Sequence, residues 1–215
     1  MSSSPPAIVP PARHRVGVFG GSFDPPHLGH LILASELHDA LELDEVRWLV
    51  SPAPPHKRDR TLSPDATRIA MVEAAITGDP RFVLDLVEFE RQGPSFTVDT
   101  LAAMVTRDPG ATLVFIMGGD SLRDFPTWRD PAGIARLAEI GVAVRPGVQV
   151  DLVAVEAVVP EARGRIRVVE TTGIDISSTA IRARHACGRP IRYVVPESVR
   201  RVIDDRGLYR AVQGS

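Results

Sequence analysis

The feature that most constrains this chain is an alternation. Short apolar runs, each ending near a turn, are separated by segments whose apolar residues recur at helical spacing. The apolar runs are Val16–Phe19, Val46–Val50, Phe82–Leu86, Thr112–Met117, Gly141–Val144 and Ile166–Val169. Helical spacing is clearest over His27–Leu41, with Leu28, Leu31, Ala34, Leu37 and Leu41 on one face. Further helices are expected over Pro64–Thr77, Ser95–Thr106, Pro131–Ala138, Ser178–His185 and Pro196–Asp205. Ser63 is the expected N-cap of the second, with Pro64 at its first position. Residues 150–159 are apolar and fit either a helix or a strand. Strands alternating with helices over short links give right-handed βαβ units. The expectation is an α/β chain with a doubly wound parallel sheet flanked by helices. It would be a single domain over residues 14–211, with a small C-terminal helical part. Residues 1–13, rich in Ser and Pro, read as a flexible tail.

Composition narrows the function classes. The 215 residues carry a net charge of −2, so no global positive field points to nucleic acid. A single cysteine, Cys187, excludes an internal disulfide framework and a multi-cysteine zinc module. No apolar run approaches the ~18 residues needed to span a bilayer. Residues 1–11 have neither the charged start nor the long apolar stretch of a signal peptide. The expected setting is the cytoplasm, with no membrane and no nucleic-acid partner. Of 25 basic residues all but one are Arg, and the exception, Lys57, closes the segment Pro52-Ala53-Pro54-Pro55-His56-Lys57.

In doubly wound sheets ligands bind beyond the carboxyl ends of the strands, so residue clusters just after strands are the candidates. Gly20-Gly21-Ser22-Phe23-Asp24-Pro25-Pro26-His27-Leu28-Gly29-His30 follows the first strand. Its glycines permit a tight turn, and the turn feeds a helix N-terminus, where free N–H groups and the dipole favour an anion. His27 and His30, three apart, share a helix face and could donate hydrogen bonds to phosphate oxygens as charge develops. Prolines restrict the loop after the second strand, which would hold two cationic donors, His56 and Lys57. After the last strand, Ile176-Ser177-Ser178-Thr179-Ala180-Ile181-Arg182 sets two hydroxyls at a helix start, with Arg182 one turn on. Those hydroxyls could hold phosphate or simply cap the helix. Gly118-Gly119-Asp120 ends the fourth strand and could receive a ribose; Trp128-Arg129 offers a stacking ring beside a cation.

Rival chemistries remain open at this point. Neither G-x-G-x-x-G nor G-x-x-x-x-G-K-[ST] occurs, which disfavours a dinucleotide dehydrogenase and a P-loop enzyme. Residues 20–24 come close to the G-x-S-x-G elbow of serine hydrolases, but Asp24 stands where the final glycine belongs. A metal site on His27 and His30 lacks further ligands at a matching spacing.

Taken together, the clusters resemble the nucleotidyltransferases with the H-x-G-H signature, here His27-Leu28-Gly29-His30, and most closely the bacterial nicotinate mononucleotide adenylyltransferases. The resemblance rests on five ordered segments: Gly20–His30, Pro54–Lys57, Ser95-Phe96-Thr97-Val98-Asp99-Thr100-Leu101, Gly119-Asp120-Ser121-Leu122 with Trp128, and Ile176–Arg182. It continues to a family-like ending at Leu208-Tyr209. Phe96 departs from the family's usual Tyr, and Asp130-Pro131 follows the Trp where the family varies.

The resemblance implies a Rossmann-like fold and transfer of AMP from ATP to nicotinate mononucleotide, giving nicotinate adenine dinucleotide and pyrophosphate. It implies catalytic roles for His27, His30, Lys57 and Arg182. ATP would lie on Gly20, Gly21, Ser22, Phe23, His27, His30, Gly118, Gly119, Asp120, Ile176, Ser177, Ser178 and Arg182. Nicotinate mononucleotide would lie on Ser22, Phe23, His56, Lys57, Thr97, Trp128 and Arg129. Mg2+ would be held mainly through ATP phosphates, with no metal ligand assigned to the chain. The same chemistry on nicotinamide mononucleotide or phosphopantetheine, and a catalytically silent nucleotide-binding module, are the alternatives. A homo-oligomer is compatible with the sequence.

Overall fold

A computed structural model describes residues 14–52, 62–91 and 93–210. The expected tail, and His56 and Lys57, lie outside the described residues. Six parallel strands form one sheet: β1 (Arg15–Gly21), β2 (Glu45–Val50), β3 (Phe82–Asp85), β4 (Thr112–Gly118), β5 (Glu139–Val144) and β6 (Ile166–Glu170). Their order is β3-β2-β1-β4-β5-β6, the doubly wound arrangement expected from the alternation. The strand order reverses between β1 and β4, whose registers pair Phe19 with Ile116.

The sheet has a core on each face, which is why its strands read as continuous apolar runs. One core joins Val16, Val18, Leu113, Phe115, Ile140 and Val142 to Leu101, Met104, Ile134 and Val155. The helices behind those last four are α3 (Thr97–Arg107), α5 (Pro131–Leu137) and α6 (Leu152–Val158). The opposite core joins Phe19, Trp48, Val114 and Ile116 to α1 (Leu28–Ala40) and α2 (Asp65–Ile76). Trp48 is wholly buried there, between Phe19, Phe23 and Phe82. A third cluster seats the C-terminal helices α7 (Ser178–Ala186) and α8 (Glu197–Asp205) on α2 through Met71, Ile181, Val195, Val199 and Ile203.

The differences from expectation are local. Residues 150–159 resolve as helix α6, capped by the Asp151 carboxylate on the Ala154 N–H. Helix α2 begins one residue late, with Pro64 at the cap; the Ser63 backbone N–H is drawn instead onto Asp24 Oδ2. Helix α3 begins at Thr97 rather than Ser95. A short helix, α4 (Gly119–Asp124), begins where Gly118-Gly119-Asp120 was expected to end the fourth strand, and no helix was expected there. Among the described residues no helix is long and apolar enough to cross a membrane.

Candidate active site

The β1 strand delivers its turn to the reversal in strand order, above the sheet's carboxyl end. Phe23 takes a left-handed φ of 46°, unfavourable for a residue with a Cβ, and buries its ring against Phe19 and Trp48. Extended backbone at His27 then opens α1. The His27 N–H donates to His30 Nδ1 at 3.2 Å. That bond occupies Nδ1 as an acceptor, so the neutral His30 ring carries its proton on Nε2 and is a hydrogen-bond donor there. The two imidazoles stack at 3.6 Å between centroids. Gly29 makes room for this: a Cβ at that position would stand 3.1 Å from His27 Nδ1. His30 also packs edge-on against Phe23.

Burial lowers the His27 pKa to about 4. His30 is lowered to about 3, by burial first and then by His27. At neutral pH both rings are therefore uncharged, and any help they give an anion comes from directed N–H groups rather than net charge.

The turn is tied on every side by its own carbonyls and one carboxylate. Arg182, on α7, donates to the Asp24 carbonyl at 2.7 Å, and the Ser178 hydroxyl donates to the Pro25 carbonyl at 2.8 Å. Ser177 caps α7 by accepting from the Ala180 N–H. The Asp24 side chain, wholly buried, accepts from the Tyr209 hydroxyl and the Ser63 N–H. Burial and Asp24 together push the Tyr209 phenol far above its ordinary pKa, so it stays a donor. Arg68, also wholly buried, donates to the Ser22 carbonyl at 2.8 Å.

A cleft of about 650 Å3 opens beside the histidines. Its lining brings together His27, His30, Gly118, Gly119, Asp120, Ile176, Ser177 and Ser178. These residues lie at or just after the carboxyl ends of β1, β4 and β6, and the geometry unites most of the expected ATP set. Asp120 sits at the rim, its carboxylate exposed and ion-paired with Arg123. Arg182 enters through the turn rather than the cleft wall.

Trp128 and Arg129 lie separately, on the α3 side of the sheet, where Arg129 reaches Phe96 and Asp99 on either side of Thr97. Arg129 lies 4.3 Å from the Phe96 ring centre and 3.8 Å from Asp99, one turn into α3. Trp128 meets Phe115 and Phe125 edge-on. The Phe96 substitution thus leaves an apolar ring, partly exposed, under a guanidinium. Because Phe115 and Ile116 point to opposite faces of β4, this group and the histidines flank the reversal point from its two sides.

Residues 18–184 match the cytidylyltransferase-like family model. A protein of Thermomicrobium roseum named a probable nicotinate-nucleotide adenylyltransferase is 48% identical, over 93% of each chain. One of Salinibacter ruber with the same name is 42% identical, over 91% of this chain and 97% of that one. The chain belongs to the nicotinate-nucleotide adenylyltransferase family. Its fold also matches a solved Plasmodium falciparum nicotinic acid mononucleotide adenylyltransferase complexed with NaAD. There the TM-score is 0.73 and the identity 17%, covering 91% of this chain and 97% of that one.

Three residues around the family's H-x-G-H turn escaped the reading of the sequence as functional candidates: Asp24, Arg68 and Tyr209. Asp24 and Tyr209 fall inside family-like segments, which was the available signal. Arg68 looked like any other helix arginine. Among the described residues no three ligating side chains cluster into a metal site.

Proposed function

We propose that this adenylyltransferase-family chain joins nicotinate mononucleotide to ATP, forming nicotinate adenine dinucleotide and releasing pyrophosphate, with residues 14–211 acting as one unit. The observation that carries the reading is the His27–His30 pair. The bond from the His27 N–H leaves His30 with a neutral Nε2–H donor in a cleft shared with residues 118–120 and 176–178.

The nucleotide's phosphate bears close to two negative charges at neutral pH. It needs no general base. An oxygen of that phosphate attacks the α-phosphorus of ATP, a new P–O bond forms, and the bond to the β-phosphate oxygen breaks in line with it. The chain's task is alignment of two anions and relief of their repulsion. In this reading Gly20, Gly21, Ser22 and Phe23 offer the turn's backbone to phosphate, and His30 donates to the α-phosphate, with His27 stacked beneath it. Arg182 has one nitrogen on the Asp24 carbonyl, which aims its fork at the turn. Lys57, outside the described residues, would join it in neutralising the incoming phosphate, with His56 beside it.

Residues 118–120 and Ile176 would cradle adenosine. Thr97, Trp128 and Arg129 would take the pyridine nucleotide across the reversal point. A Mg2+ ion accompanying ATP would be held mainly through the phosphates and water and would neutralise them. The test is pyrophosphate release from ATP with nicotinate mononucleotide, nicotinamide mononucleotide or phosphopantetheine as acceptor. Turnover highest with nicotinate mononucleotide is expected; none with any acceptor refutes the proposal.

A further inference from the structure

The phosphate turn is held by two side chains that no step above uses. Arg68, on α2, is wholly buried, and its guanidinium is directed at three acceptors of the chain itself. Nη1 donates to the Ser22 carbonyl at 2.8 Å, Nε to the Ser63 carbonyl at 3.1 Å, and Nη2 to Asp65 at 2.5 Å. Tyr209 lies 185 residues from Asp24 in sequence, and its hydroxyl donates to Asp24 Oδ1 at 2.5 Å. Its backbone takes a left-handed φ of 59° to deliver that hydroxyl. Between these two anchors sits Phe23, itself at a left-handed φ of 46°. Unfavourable backbone of this kind persists only where the surroundings hold it.

The anchors meet the turn at the places that set its shape. A donor fixed on the Ser22 carbonyl orients the Ser22–Phe23 peptide plane, and with it the Phe23 N–H on the opposite side. The Asp24 carboxylate takes donors on both oxygens, from Tyr209 and from the Ser63 N–H, so residue 24 is fixed in position. A helix–helix contact for stability alone would have been served by apolar residues, as in the neighbouring Met71–Val199–Ile203 cluster.

We propose that Arg68 and Tyr209 are positioning residues: Arg68 through the Ser22 carbonyl, and Tyr209 through Asp24, hold the turn in the shape that receives the triphosphate. The inference rests on the reading of this turn as the ATP phosphate site. Misplacement of a reacting group by about 1 Å costs on the order of 10²-fold in rate, so partial loosening is readable.

The test uses the full chain with Tyr209→Phe and Arg68→Lys, assayed well below each variant's melting temperature. Arg68→Lys keeps the charge but cannot reach three acceptors with a planar fork. Turnover and KM are measured in pyrophosphate release. Dissociation constants for ATP and for adenosine are measured by calorimetry without acceptor. The expected result for Tyr209→Phe is a kcat lower by about 10-fold, a KM for nicotinate mononucleotide within about 2-fold, and weakened ATP binding with adenosine binding unchanged. Arg68→Lys should show the same pattern more strongly; should it fail to fold, Tyr209→Phe decides alone. A lower melting temperature with unchanged kcat, or equal weakening of ATP and adenosine, overturns the proposal. If the wild-type chain binds ATP but converts no acceptor, the proposed function fails while the ATP-to-adenosine comparison still judges the anchors. A wild-type chain that binds neither overturns both.

Discussion

Lowering the pH from 7 to 5 tests the histidine pair through folding stability alone. In the unfolded chain both imidazoles titrate near 6.5, whereas in the fold His27 is held at about 4 and His30 at about 3. Between pH 6.5 and those values the unfolded chain binds more protons than the folded one. The pair's contribution is therefore complete above pH 6.5 and is lost as the pH falls toward 3. At pH 5 each ring stays neutral in the fold against a protonated unfolded reference 1.5 pH units away. That costs about 2 kcal/mol per ring, or about 4 kcal/mol for the pair. The direction follows first from burial, which penalises the charged form of both rings, and for His30 also from His27, stacked 3.6 Å away. Urea unfolding at both pH values, for the wild type and a His27→Gln/His30→Gln variant, isolates the term, because every other titrating group is common to both. The wild type should lose about 4 kcal/mol more than the variant on acidification. A difference below about 1 kcal/mol would show that these rings are hydrated in solution, and the neutral-donor account of His30 would go with it.

Three further outcomes follow from the site. His30→Ala should lower turnover in pyrophosphate release by about 10²-fold or more, as for loss of one preorganised donor, and near-normal turnover would remove His30 from the chemistry. Its ring fills space beside Phe23 and Phe19, so a lower melting temperature is expected as well. Gly29→Ala sets a methyl 3.1 Å from His27 Nδ1. It should displace that ring and reduce kcat at least several-fold while far-UV circular dichroism stays unchanged; wild-type kcat would show that the stacking is dispensable. Lys57→Ala, argued from sequence, should weaken calorimetric binding of nicotinate mononucleotide without altering the melting curve, and unchanged affinity contradicts it.

The sheet was legible because a strand buried on both faces cannot hide its polarity: Val114, Phe115, Ile116 and Met117 are all core, on alternating sides. Helix α4 was not, because six residues opening on glycine carry too little periodicity to register. The ambiguity over residues 150–159 could have been lifted by Asp151, whose carboxylate three residues ahead of the Ala154 N–H is a helix-start signal. In the site, His27, His30 and residues 176–178 were readable since each follows a strand that ends at the same edge, and the cleft unites them. Trp128 and Arg129 were readable as candidates but not as standing on the other side of the sheet from the histidines, because strand order is absent from local pattern. Asp24, Arg68 and Tyr209 could not be found by spacing. Their partners lie far along the chain, and a wholly buried arginine inverts the usual expectation for that residue.

The bond between Asp24 and Tyr209 has a temporal side. Its two halves lie 185 residues apart, so closing it joins the turn after β1 to the segment after α8. A folding chain that has paired β1 with β2 but not yet docked α7 and α8 on α2 leaves the Asp24 carboxylate without its phenolic donor. Docking of the C-terminal helices and completion of the turn are thereby one event.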